Sequence, residues 1–257
     1  MIRDMTSSRK LILKVVMSKI KVTVWNEYGD DQKGPAISNV YPEGMHKTIA
    51  DFLNKDTEIS AGTAVLADNE QGLSEAVLDE TDVLIWWGHV HHNKVEDRFV
   101  KRVIDRVQRG MGIIFLHSAH KSKPFMGLMG TSGYLCWREI GEKERIWTVT
   151  PSHPIAQGIP EHFVLENEEM YGEPFGIPEP LHTVFIGWFQ GGNVFRSGVT
   201  FQREYGKVFY FQPGHETYPV YHHEIIQKIL VNAVKWAKPD VKVNNLDCPN
   251  MPSLEIL

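Results

Sequence analysis

Short apolar runs alternate with longer amphipathic ones along the first half of the chain, a pattern that predicts strands and helices in turn. Four runs rich in β-branched and aromatic residues are predicted as strands: Ile20–Trp25, Glu58–Leu66, Val83–Trp87 and Gly112–Leu116. The predicted helices between them are Gly44–Asn54, Ser74–Glu80 and Val95–Gly110. Such repeated units fold as a parallel sheet covered by helices on both faces.

The alternation of strand and helix patterns stops after Leu135, where strand-like runs follow one another without long helices. Antiparallel additions to the sheet are predicted there: Trp147–Val149, Thr183–Trp188, Val194–Phe201 and Lys207–Phe211. The acidic, Pro- and Gly-rich stretch Ser152–Pro180 is too long for a simple connector, so we predict an irregular functional loop. A broad apolar face predicts a closing helix from His222 to Ala237.

These elements predict a single α/β domain over residues 19–238. Residues 1–18 only weakly resemble a signal peptide, because the apolar stretch from Leu11 is short and Lys14 interrupts it. Met17 offers a second start, so we expect this segment to be an extension outside the fold. Residues 239–257 have little periodicity and are expected to form an extended tail.

Composition narrows the class of protein. The 27 Lys+Arg and 32 Asp+Glu give a net charge of −5 without basic clusters, which disfavours nucleic-acid binding. No apolar run is long enough to span a membrane. The two cysteines, Cys136 and Cys248, suit a reducing cytoplasm better than a disulfide framework. No P-loop, G-x-G-x-x-G or H-E-x-x-H motif is present, so a nucleotide cofactor is not expected.

Histidines follow the carboxyl ends of several predicted strands, where open α/β sheets bind their ligands. His89 follows the third strand, His117 the fourth and His215 the last, while His46 opens the first helix. Because imidazole is the commonest metal ligand, these four are predicted to hold a divalent metal, with zinc favoured. One of them is expected to remain free as an acid or base.

Further candidate residues come from turns and loops. His117 occupies a strand–turn–helix apex that elsewhere displays a nucleophile, and here it indicates a ligand or proton carrier. Glu168 or Glu169 could turn inward as ligand or general base, and we favour Glu169. The catalytic set is therefore predicted as His117, His215 and Glu169. The residues predicted to bind substrate are Asn26, Glu27, Trp87 and Tyr171.

The motifs together resemble the ThuA-like trehalose-utilisation family over about Ile20 to Lys238. The segments that carry the resemblance are Tyr41–His46, Val83–His89, Leu116–His120, His153–Pro160, Glu168–Tyr171 and Pro213–Glu216. The resemblance implies a three-layer, flavodoxin-like fold similar to class I glutamine amidotransferases. It also implies a sugar ligand, such as a disaccharide or a keto-sugar.

The catalytic cysteine of those amidotransferases is replaced by His117, so glutamine hydrolysis by a thiolate is not expected. Our leading hypothesis is a cytoplasmic, metal-dependent hydrolase, lyase or isomerase acting on a sugar. The alternative is a non-catalytic sugar-binding or regulatory module on the same scaffold. A metal-free hydrolase using Ser118 ranks third. A homo-oligomer is the base-rate expectation.

Overall fold

The computed structural model describes residues 18–255. Five parallel strands form the first part of one nine-stranded sheet of order β2-β1-β3-β4-β9-β8-β7-β5-β6. The parallel strands are β1 (Ile20–Asn26), β2 (Ile59–Val65), β3 (Val83–Trp87), β4 (Gly112–Leu116) and β9 (Gly206–Phe211). The antiparallel strands are β5 (Cys136–Thr148), β6 (His162–Gly172), β7 (His182–Phe189) and β8 (Val194–Arg203). The predicted fold class is confirmed.

Helices cover both faces of the parallel part. They are α1 (Pro35–Ser38), α2 (Met45–Leu53), α3 (Glu75–Asp79), α4 (Asp97–Gln108), α5 (Lys123–Met129) and α6 (Glu224–Ala237). One apolar core contains residues of α2 and α6, and the opposite core contains residues of α3, α4 and α5. Helix α4 could be predicted from its apolar positions, because Phe99, Val103 and Val107 recur every four residues and all are buried.

The central strands bury both faces. In β3, Val83, Ile85 and Trp87 enter one core while Leu84 and Trp86 enter the other. The parallel direction of the strands brings their carboxyl ends to a common edge of the sheet.

Three predictions in the antiparallel part are wrong. The run Lys207–Phe211, predicted as an antiparallel addition, is β9, which pairs in parallel with β4 and antiparallel only with β8. The stretch 152–180 is not an irregular loop throughout, since β6 occupies its middle. The predicted strand Trp147–Val149 is the end of β5, which begins eleven residues earlier at Cys136. The sequence pattern concealed both strands because they bury charged side chains such as Glu144 and Glu168 among their inward positions.

The two terminal segments differ in how much of each the structure describes. The proposed N-terminal extension falls almost entirely on residues outside the described range. Between Lys238 and Glu255 no helix or strand is assigned, and most side chains there are exposed.

Candidate metal centre

Three histidines follow adjacent parallel strands at the carboxyl edge of the sheet. The neighbouring strands β3, β4 and β9 lead into His89, His117 and His215 respectively. Because parallel strands end at the same edge, their loops converge on one region.

His117 occupies a strained turn at the end of β4. Its φ of 51° lies in the left-handed region, which costs a non-glycine residue roughly 1–3 kcal/mol. The Tyr210 hydroxyl donates a hydrogen bond to the His117 carbonyl over 2.9 Å and helps to hold this conformation. Such strain is typical of residues whose side chain must be presented in one fixed direction.

The contacts of the His117 ring define which nitrogen faces the site. Nδ1 lies 2.9 Å from the Gln212 carbonyl oxygen, which can only accept, so Nδ1 carries a hydrogen. Nε2 therefore faces Glu169, whose Oε2 is 2.9 Å away. The Tyr171 ring stacks on the imidazole with ring centroids 5.0 Å apart. The ring is held on three sides.

Glu168 and Glu169 have different contacts. Glu169 pairs with His117, whereas Glu168 accepts hydrogen bonds from the backbone N–H groups of Gly214 at 2.9 Å and His215 at 3.3 Å. Glu168 thus anchors the loop that carries His215. Burial is the main cause that raises the pKa of Glu168 to about 7.

His215 completes a buried group with His117 and Glu169. One potential ligand atom from each residue lies within 4.8 Å of the other two. Burial and the nearby charge of His117 lower the pKa of His215 to about 4, so its imidazole is neutral near pH 7. Its Nδ1 lies 2.8 Å from the Thr217 hydroxyl, which can orient the ring.

His117 and Glu169 form an ion pair in this arrangement. Burial by itself lowers the pKa of His117, but the hydrogen bond and charge of Glu169 outweigh it and raise the pKa to about 9. Burial likewise opposes ionisation of Glu169, and the bond to His117 lowers the pKa of that carboxyl. A metal cation at Nε2 would have to displace the His117 proton.

His89 lies beside this group but is not among the three. Its Nδ1 is 3.0 Å from Glu216 Oε1, and its ring centroid is 6.1 Å from that of His215. Burial disfavours its charged form, yet the bond to Glu216 outweighs burial and raises the pKa of His89. Glu216 is the last residue of the segment Pro213–Glu216 and was not predicted as a site residue.

His46, the remaining predicted metal ligand, is placed with a different partner. Its Nδ1 is 3.2 Å from Asn26 Nδ2, and its ring packs edge-on against Tyr28. Among the described residues, the three-residue group above does not include His46.

Three of the four residues predicted to bind substrate are enclosed by protein. Asn26 bonds to His46 and to the backbone of Tyr28. Glu27 accepts from the N–H groups of Val90 and His91, and Trp87 donates to the Gly214 carbonyl. Only the fourth, Tyr171, lines the cleft above the metal centre.

That cleft has a volume of about 440 Å³ and includes residues that the sequence analysis did not select. Trp137 is 65% exposed and pairs across the strands with Tyr171, so the two side chains share one face. Glu139, two residues further along β5, also lines the cleft and reaches within 3.4 Å of His215 Nε2. Both were missed because this part of β5 was not predicted as a strand.

Comparison with known proteins identifies the family. The ThuA family profile, described as trehalose utilisation, matches residues 21–237. The chain belongs to the ThuA family. No curated protein matches this ThuA chain in sequence.

Solved structures confirm the fold of this ThuA protein. A ThuA-like protein from Parabacteroides merdae is 14% identical, with a TM-score of 0.63 over 88% of this chain and 93% of that one. A ThuA-like protein from Bacteroides uniformis is 15% identical, with a TM-score of 0.61 over 85% and 91%. A glutamine amidotransferase from Thermotoga maritima is 12% identical, with a TM-score of 0.53 over 86% and 98%. At these identities the likeness concerns the fold alone.

Within residues 18–255 of this ThuA protein, no helix combines the length and the apolar character that crossing a bilayer requires.

Proposed function

We propose that this chain is a metal-dependent enzyme acting on a sugar, with His117, Glu169 and His215 as the metal ligands. The observation that carries the proposal is the fixed His117 ring, whose Nδ1–H is bound by the Gln212 carbonyl so that Nε2 meets Glu169. Metal-binding histidines are commonly oriented by such a bond from the second ring nitrogen.

The donor set fits a divalent metal, with zinc favoured. Two imidazoles and one carboxylate occur as the three protein ligands of catalytic zinc sites, which keep a further position open. All three residues are buried, and Glu169 also lines the cleft from which a substrate would arrive. A bound metal would supply a Lewis acid that polarises a sugar oxygen or a water.

The surrounding residues would bind and orient the sugar. The exposed face of Trp137 offers the flat apolar surface that a sugar ring requires. Glu139, which lines the cleft, offers carboxylate oxygens to sugar hydroxyls. His89, held at Nδ1 by Glu216, has its other ring nitrogen available to donate to a substrate oxygen.

The substrate class follows from the cleft and from the description of the family. A cleft of about 440 Å³ lies within the usual range of small-molecule sites. Trehalose utilisation is the family's description, so disaccharides and keto-sugars are the first compounds to assay. The free, exposed Cys136 and Cys248 support placing the protein in a reducing cytoplasm.

One observation favours a second candidate, a non-catalytic sugar-binding module. The ion pair between His117 and Glu169 satisfies both side chains without a metal. In that case the cleft and its aromatic wall would serve binding alone, as the loss of the amidotransferase cysteine at position 117 also allows.

The two candidates are separated by measuring sugar binding and turnover with and without a chelator. Calorimetry with trehalose and a 3-keto-disaccharide gives the affinity, and product analysis gives turnover. The enzyme predicts turnover that chelation abolishes and added zinc restores. Tight sugar binding that is indifferent to chelation, without turnover, would instead support the binding module.

A further inference from the structure

A buried row of polar side chains lies behind the metal centre. Glu144 of β5 is fully buried, and its Oε1 is 2.8 Å from the hydroxyl of Ser197 on β8. That hydroxyl is 3.4 Å from Oε1 of Gln212, which directly follows β9. The Gln212 side-chain amide donates to the Glu169 carbonyl over 3.2 Å, while its own backbone carbonyl accepts from His117. The row therefore ends at two residues of the metal centre.

Gly187 makes this row possible. Strand β7 lies between β5 and β8, so the Glu144 side chain must cross it to reach Ser197. A Cβ atom at Gly187 would lie only 2.0 Å from Glu144 Oε1 and 2.4 Å from Ser197 Oγ. The missing side chain at this strand position gives the carboxyl group its room.

Counting hydrogens shows which form of Glu144 the row requires. The Ser197 hydroxyl has one hydrogen but lies between two acceptors, Glu144 Oε1 and Gln212 Oε1. If Glu144 were ionised, that hydrogen could serve only one acceptor, and a buried acceptor would be left unpaired. If Glu144 carries a proton, it donates to Ser197, Ser197 donates to Gln212, and the row is satisfied.

We propose that Glu144 is a positioning residue. It is a neutral carboxylic acid that fixes the Gln212 side chain through Ser197, and Gln212 in turn holds Glu169 and His117 in their positions in the metal centre. Glu144 touches none of the three ligands and acts only through Gln212.

Burial supports the neutral form. It raises the pKa of Glu144 well above the usual range, and the nearby charge of Glu168 adds to the shift. Glu144 Oε2 accepts no hydrogen bond from the described residues, which an uncharged carboxyl tolerates better than a carboxylate does.

The protonation claim can be tested in the protein without any metal. An infrared difference spectrum between wild type and Glu144→Gln at neutral pH isolates the signal of this one side chain. The proposal predicts the C=O stretch of a protonated carboxyl in the wild type. A carboxylate band in its place would overturn the proposal.

The positioning claim is tested at the other end of the row. Glu144→Gln keeps a neutral donor and should preserve the NMR signal of the hydrogen-bonded His117 Nδ1 proton, whereas Glu144→Leu and Ser197→Ala should broaden or shift it. Gly187→Ala should do the same, because its Cβ collides with the row. The matched control is Gly62→Ala, another strand glycine, whose Cβ would meet nothing within 4 Å.

A further readout rests on the proposed function. Zinc affinity should fall roughly tenfold in Glu144→Leu, Ser197→Ala and Gly187→Ala, and stay unchanged in Glu144→Gln and Gly62→Ala. If the wild type binds no zinc, the metal proposal fails while the infrared and NMR results still decide the role of Glu144. An unaltered His117 proton signal in folded Glu144→Leu would refute the positioning role.

Discussion

His117 is held by contacts that point one nitrogen at Glu169. Its backbone conformation is strained, its Nδ1 is bound to Gln212, and its ring is stacked on Tyr171. Gln212 directly follows β9 and Tyr171 belongs to β6, so the orientation of the ring depends on two strands other than its own. This is the geometry on which the metal proposal depends.

We predict that Glu168→Gln destabilises the protein by about 1–3 kcal/mol. Both Glu168 oxygens accept backbone N–H groups, and an amide would bring its own N–H groups against one set of donors. Urea unfolding measures the change. The matched control is Glu166→Gln, an exposed glutamate on the same strand, for which we expect a change within about 0.5 kcal/mol. Equal stability of the two variants would show that Glu168 does not anchor the His215 loop.

Strands β5 and β6 place the missed residues in the cleft. Their pairing shifts register twice, between Arg138 and Glu142 and between Glu142 and Glu144. Such irregularities bend a pair of strands and change the direction in which its side chains point. They separate the cleft-facing part with Trp137 and Glu139 from the part that packs in the sheet.

For the β5–β6 strand pair we predict that Trp137→Ala weakens sugar binding by about 1 kcal/mol, or roughly fivefold, because a flat stacking surface is lost. The exposed side chain should contribute less than about 0.5 kcal/mol to the free energy of unfolding. Calorimetry with trehalose tests the first expectation, and thermal unfolding tests the second.

The control is Trp188→Ala, since Trp188 is also exposed, at 44%, but does not line the cleft. An equal loss of affinity in both variants, or in neither, would remove Trp137 from the binding surface.

Elements with one clear periodicity were predictable from the sequence, and elements with buried charge were not. Helix α4 and strands β3 and β4 were correctly predicted because their apolar positions directly reflect burial. Strand β6 was mistaken for a loop because its acids suggest solvent. Their burial depends on partners such as His117 and the Gly214 backbone, which lie far away in sequence.

The convergence of histidines was likewise predictable only in part. The rule that parallel strands end at one edge leads to His117 and His215, which the structure brings together with Glu169. It does not show that His46 pairs with Asn26 or that His89 pairs with Glu216. These partners depend on loop conformations that no periodicity encodes.

Buried neutral histidines link the stability of the whole molecule to pH. Burial, with the charge of His182, lowers the pKa of His153 to about 4. Its ordinary value is about 6.5, so between these values the unfolded chain binds more protons than the folded one. The contribution of His153 to stability should therefore be complete above about pH 6.5 and fall progressively as the pH drops toward about 4.

We predict that His153→Asn makes this loss of stability smaller. Asparagine cannot titrate, yet its side-chain oxygen can still accept the hydrogen bond that His153 Nδ1 receives from the Ile155 N–H. Urea unfolding at about pH 7 and about pH 4.5 measures the difference. His162→Asn, at an exposed histidine, is the control. A wild-type loss no larger than that of His153→Asn would exclude a contribution from His153.

We propose that His117, Glu169 and His215 together hold one metal ion. Elemental analysis of untagged protein tests it most directly, with the wild type, His117→Ala, Glu169→Gln and His215→Ala, and with His46→Ala as a matched buried histidine outside the group. We predict about one zinc per chain in the wild type and in His46→Ala, and a large loss in the other three variants. A wild type that stays free of metal after zinc is supplied, or zinc retained in all three ligand variants, would contradict the metal centre.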